Sequence, residues 1–112
     1  MVNTRQKGRR NELRAAKILE AAGYDVQLAP LPQKWSLQND LFGLWDVMAV
    51  NSREIRFVQV KTNQTARPED REAMELWPCP PNCSKEIWIF HDGAKEPVIK
   101  ELKKAVGNSV DV

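Results

Sequence analysis

No stretch of the 112-residue sequence approaches the roughly 20 consecutive apolar residues that a membrane-spanning helix needs, so no membrane association is expected. Met1 to Lys17 is basic and polar with no apolar core behind it. That leaves no secretory signal and makes the cytoplasm the expected location. Cysteine is scarce: beyond Cys79 and Cys83 only His91 is an obvious further ligand, one short of the four that a structural zinc takes. A disulfide closing so short a loop conflicts with a reducing cytoplasm, so free thiols in the proline-rich turn from Trp77 to Cys83 are expected. The net charge of only +2 does not by itself point to nucleic acid. Repeats and low-complexity linkers are also missing, and the length supplies one core but not a second. The chain is expected to be one domain over 1–112, with a basic arm at 1–9 and a frayed tail at 103–112.

The charge that is present is unevenly placed. Arg5, Lys7, Arg9, Arg10, Arg14 and Lys17 crowd the N-terminal end, opposed there only by Glu12. Such a face attracts a phosphate backbone by releasing counterions, or is simply a solvated helix surface. Good helix formers, with Leu13, Ala16, Leu19 and Ala22 roughly on one stripe, predict a helix from about Lys7 or Gly8 to Ala22, stopped by Gly23. Tyr24 to Ala29 alternates as a strand, and a proline-containing polar loop runs to Asn39. Leu44–Val50 and Ile55–Lys61 read as paired strands joined by a turn at Asn51-Ser52-Arg53. A short helix is predicted over Arg67–Trp77, with Pro68 at its first position, Glu69 and Asp70 behind it and Pro78 at its end. Glu86–Phe90 reads as a fourth strand, Asp92-Gly93 as a turn, and Val98–Leu102 as a fifth strand or a helix start. This order implies an α/β fold with a mixed sheet flanked by helices.

Three polar residues interrupt the two central strands. Alternation puts Gln59 and Lys61 on one face, and an antiparallel partner brings Asp46 alongside them. The result is an oxygen-rich pocket beside one ammonium, suited to a hard divalent cation and a phosphate. Just before the strand, Asp40 is expected to cap a turn or add a second carboxylate, Phe42 to join the core, and Gly43 to permit a tight approach. Trp77 or Trp88 is expected to contribute to a subunit interface.

Glu12 in a basic first helix, Asp46 in a strand and the triplet Gln59-Val60-Lys61 in the next strand resemble the PD-(D/E)XK nuclease superfamily. Within it the pattern is most similar to archaeal-type Holliday junction resolvases and their viral relatives. Ser36, ten residues before Asp46, and Gln59, thirteen after it, match that family's spacing. The resemblance runs from about Lys7 to Thr62 and implies a restriction-endonuclease-like single domain, a central mixed β-sheet flanked by α-helices. It further implies an Mg²⁺-dependent endodeoxyribonuclease, with Mn²⁺ as substitute, acting on branched DNA in recombination and repair as a homodimer. Asp46, Gln59, Glu12 and the Val60 backbone carbonyl would hold the metal. Lys61 would orient the attacking water or hold the scissile phosphate, and Ser36 would bond a phosphate oxygen. Lys34 and Trp35 in the same loop would join Arg5, Lys7, Arg9, Arg10 and Arg14 in binding DNA.

Two positions depart from the pattern. Trp45 stands where the name-giving proline would be, and Gln59 stands where Glu or Asp is usual. An amide oxygen can ligate magnesium but brings no charge, so the metal would rely more on Asp46, Glu12 and Val60. Three other readings compete: a restriction- or repair-type nuclease on duplex or flap DNA, a non-catalytic DNA-binding module on a decayed nuclease fold, and a protein-interaction domain. The small size leaves little room for a target-reading element, which favours recognition of DNA shape. It is equally compatible with a cellular enzyme and with a phage enzyme acting in the host cytoplasm.

Overall fold

The structure, a computed structural model, describes residues 4–30 and 41–103, with side chains from Lys7 onward. Its elements are α1 (Thr4–Ala21), β1 (Asp25–Leu28), β2 (Val47–Val50), β3 (Ile55–Thr62), α2 (Pro68–Leu76), β4 (Cys83–Phe90) and β5 (Val98–Glu101). The five strands lie in the sheet in chain order. All neighbouring pairs are antiparallel except β3 and β4, which run parallel and are connected through α2. The mixed sheet expected from the sequence is therefore present, and Val98–Glu101 is a strand. None of the described helices is long and apolar enough to cross a membrane.

Alternation along β3 and β4 divides the core into two layers. Val58, Trp88 and Phe90 pack with Ala15 and Leu19 of α1 and with Val47 and Ala49 of β2. Phe57, Ile87 and Ile89 belong to the other cluster, with Met74 of α2, Trp45, Cys79 and Cys83. Both faces of β4 are covered, which explains its nearly continuous apolar run and its start at Cys83, three residues earlier than expected. Cys79 and Cys83 are buried thiols with no disulfide between them.

The helix ends follow local chemistry. Gly23, at φ 97°, lets the chain leave α1 through two bonds, from the Tyr24 amide to the Leu19 carbonyl at 3.1 Å and from Gly23 to Glu20 at 3.0 Å. Pro68 opens α2 with Glu69 and Asp70 in its first turn, against the positive end of the helix dipole. At the other end of α2, Lys85 is fully buried and donates to the Glu75 carbonyl at 2.7 Å and the Trp77 carbonyl at 2.8 Å. A charged side chain there satisfies carbonyls that a helix terminus leaves without partners.

Several expectations are corrected. α1 begins at Thr4, so residues 4–9 of the expected arm are helical. Its buried stripe is Asn11, Ala15, Ala16 and Leu19, while Leu13 is 45% exposed and Ala22 also faces solvent. Asn11 faces inward because its amide donates to Thr62 Oγ1 at 2.8 Å. Phe42 is 69% exposed: its backbone, at φ 54°, turns the ring out against the rim of Trp77, with 5.3 Å between centroids. Trp88, 1% exposed, is a core residue and offers no surface to a partner subunit.

Candidate active site

Phe42 and Gly43, at φ 54° and 74°, reverse the chain between Leu41 and Trp45, which bridge each other. Gly43 takes the left-handed backbone at no steric cost, and Phe42 adopts one at an energetic cost. This turn delivers Asp46 to the end of β2. Val58 is the register partner of Val47, yet its carbonyl also accepts the Asp46 amide at 2.9 Å. Two residues of one strand thus oppose one of the other, a bulge that re-aims the side chain at the point of slippage. Asp46 accordingly stands just before β2 and not inside it, and its carbonyl accepts the Ala29 amide at 2.8 Å.

At this bulge the Asp46 carboxylate turns onto β3, where Oδ2 accepts the Val60 amide at 2.8 Å. The neighbouring Gln59 donates its Nε2 to the Leu44 carbonyl at 3.0 Å. Its Oε1 is buried and has no hydrogen-bond partner, one of two such atoms among the described residues; the other is Nε1 of Trp45, beside Asp46. Lys61 shares a face with Gln59 and opens into a cleft of about 370 Å³ that includes Lys7, Thr62, Asn63 and Gln64. Lys61 is half-buried and makes no ion pair among the described residues.

Glu12 reaches this end of the sheet through Arg9. One guanidinium nitrogen donates to Glu12 Oε1 at 3.1 Å and to the Ala29 carbonyl at 3.0 Å, and Ala29 is the residue bonded to Asp46. The Asp46 carboxylate is thus bonded to the Val60 amide, Gln59 and Lys61 stand on either side of Val60 in β3, and Glu12 is linked to Asp46 through Arg9 and Ala29. Ser36, Lys34, Trp35 and Asp40 lie outside the described residues, as does the side chain of Arg5. Among the basic residues of α1, Arg10 is exposed, whereas Lys7 pairs with Asp92 at 2.7 Å. Arg14 lies 4.7 Å over the Phe90 ring and donates to the carbonyls of Ala94 and Lys95.

The donor set suits a hard cation. A carboxylate, a buried amide oxygen without a partner and a backbone carbonyl are oxygen ligands of the kind magnesium and manganese take. No three His, Cys, Asp or Glu side chains gather at one point among the described residues. Sequence reasoning missed the bulge at Asp46, the Arg9 relay and the Asn63–Asp92 contact. The signal for the first was present, since adjacent apolar Leu44 and Trp45 already break the alternation.

No family model matches the sequence, and no curated protein sequence is significantly similar to it. The fold is similar to that of Hjc, a Holliday junction resolvase from the archaeal hyperthermophile Archaeoglobus fulgidus. The TM-score is 0.58 at 14% identity, over 84% of this chain and 88% of that one. At that identity the shared property is the fold, and the chain has the restriction-endonuclease-like architecture implied by its sequence pattern.

Proposed function

We propose that the chain is a metal-dependent endonuclease of the Holliday junction resolvase type, hydrolysing phosphodiester bonds in branched DNA as a symmetric homodimer. The observation that carries this reading is the bond between Asp46 and the Val60 amide at a bulged strand end, with Gln59, whose side-chain oxygen has no partner among the described residues, and Lys61 on either side of Val60. The fold shared with a junction resolvase supports it.

Hydrolysis needs an oriented water, stabilisation of charge developing on phosphorus-bound oxygens, and protonation of the leaving oxygen. Asp46, Gln59 Oε1, the Val60 carbonyl and Glu12 would hold the cation, Mg²⁺ or Mn²⁺. When bound, it supplies Lewis-acid stabilisation and a water of lowered pKa. The Val60 amide fixes the rotamer of Asp46, so that ligand is oriented before substrate arrives. Lys61, which makes no ion pair among the described residues, holds the scissile phosphate or orients the water. Ser36 bonds a phosphate oxygen, and Arg10, Lys7, Lys34 and Trp35 carry the flanking backbone. Phe42 and Leu76, each 69% exposed and both beside Trp77, offer apolar surface for the second subunit.

A second reading, a DNA-binding module that no longer cuts, is favoured by one feature, the neutral Gln59. Cleavage of a labelled four-way junction and a matching linear duplex, in Mg²⁺ and in EDTA, decides between them. Paired metal-dependent cuts confined to the junction, reduced at least about 100-fold in Asp46→Ala, are expected. Binding to the junction without any cutting would leave the binding module, and cutting of the duplex alone would leave a restriction- or repair-type nuclease.

A further inference from the structure

At the end of the sheet where parallel β3 and β4 both finish, one exposed carboxylate oxygen collects two donors from different elements. Asp92 Oδ2 accepts Lys7 Nζ of α1 at 2.7 Å and Asn63 Nδ2, just past β3, at 3.0 Å. The side chain of Asp92 is 63% exposed while that of Lys7 is only 25% exposed, so the anion is the outer and more replaceable partner. Beside it lies a polar cleft of about 180 Å³ in which Arg10, Arg14 and His91 join Lys7 around this single acid. Arg10 makes no ion pair among the described residues, so the cleft holds more cationic donors than its own anion engages. Lys7 also lines the cleft of Lys61, and thus stands between the candidate catalytic lysine and this second pocket.

We propose that Asp92 is a stand-in for a phosphate: in the free protein its carboxylate occupies the position that a DNA backbone phosphodiester takes on binding. The incoming phosphate displaces Asp92 from Lys7 and Asn63. This inference rests on the reading of the chain as a DNA-binding nuclease and deepens it, by assigning a second phosphate site next to the scissile one. Displacement requires only rotation of the Asp92 side chain. The turn itself is held by bonds that the carboxylate does not make: the Asp92 amide to the Asn63 side-chain Oδ1 at 2.9 Å, the Asn63 amide to the Phe90 carbonyl at 2.9 Å, and the Ala94 amide to the His91 carbonyl at 3.0 Å. Lys7 and Asn63 also hold the Asp92 carboxyl below its ordinary pKa, as donors suited to an anion do. The carboxylate acts as an internal competitor that weak, non-specific phosphate contacts do not overcome.

The test is the affinity of the full-length chain for a fluorescent four-way junction in EDTA, measured across a salt series. Asp92→Asn is expected to tighten binding about three- to tenfold at low salt. The slope of log K against log salt is expected to stay that of the wild type, because the same phosphate contact forms in both complexes, and to flatten by about 0.9 in Lys7→Gln, which loses it. In a Lys7→Gln background the same substitution changes neither quantity. Glu96→Gln, which removes an exposed carboxylate of the same hairpin, controls for net charge. Unchanged or weaker binding by Asp92→Asn, an equal gain from Glu96→Gln, or a gain that persists without Lys7 each overturns the inference while leaving DNA binding intact. A wild type that does not bind the junction overturns the functional reading and this inference with it.

Discussion

The Gln59 side-chain amide donates to the Leu44 carbonyl at 3.0 Å, and its own oxygen is buried with no partner among the described residues. An acceptor withdrawn from water in this way costs free energy unless something donates to it or coordinates it. The bond to Leu44 fixes the orientation of the amide, so the cost recurs in every folded molecule.

Gln59→Glu is therefore expected to respond to metal in a way that the wild type does not. In EDTA the substitution replaces the donor to Leu44 with a buried negative charge and should lower stability by about 2 kcal/mol. Millimolar Mg²⁺ should restore it, because a charged ligand binds the cation more tightly than an amide. Thermal melts of both proteins with and without Mg²⁺ read this independently of cleavage. Parallel melts in all four conditions would remove position 59 from the ligand set.

Lys85→Met tests the terminus of α2. Methionine fills similar space but leaves the Glu75 and Trp77 carbonyls without the ammonium, at an expected cost of about 2–4 kcal/mol in urea unfolding. A cost under about 1 kcal/mol would mean that the last turn of α2 finds other donors at no penalty.

Acid should weaken the fold through Glu86. Burial pushes its carboxyl pKa up, but hydrogen bonds from Arg56, Ser84 and Trp88 outweigh this and hold it below the ordinary carboxylate value of 4.5. Arg56 binds it through two nitrogens, at 2.7 and 2.8 Å, and is held in its charged form. A group more acidic in the folded than in the unfolded state stabilises above its unfolded pKa, and that contribution fades as pH falls through the folded value. The stability gap between wild type and Glu86→Gln is expected to be widest at neutral pH and to narrow as pH falls through the lowered folded-state value. Urea midpoints from pH 7 to pH 2 measure it, and a constant gap would show that Glu86 does not titrate on unfolding.

Much of this arrangement was legible in the sequence, for identifiable reasons. β3 and β4 announce themselves through β-branched and aromatic runs, and polar Gln59 and Lys61 stand out against them. Gly23 and Pro68 mark helix ends because backbone conformation there admits few residue types. What stayed hidden depends on tertiary partners. The inner face of α1 adds Asn11 and Ala15, whose side chains carry little hydrophobic signal, to the expected Ala16 and Leu19, while Leu13 at the edge of the expected stripe faces solvent. Lys85 reads as a surface residue because its partners are carbonyls ten and eight positions earlier, which no local pattern reveals. Phe42 follows its left-handed backbone outward despite an apolar ring, and the Asp92 turn reads only as a hairpin signal until α1 is laid across it.

The order of the strands has a bearing on how such a domain can be elaborated. Three of the four neighbouring pairs are antiparallel, so each return of the chain is made at one end of the sheet, as at Asn51–Arg53 and between Phe90 and Val98. Extra residues at those tips would project from the rim and leave every pairing as it is. The passage from β3 through α2 to β4 has no such latitude, because parallel neighbours oblige the chain to travel back along the whole sheet before it can pair again. That passage is the segment whose length the architecture itself dictates, and variation in size among proteins built on this plan should concentrate everywhere else.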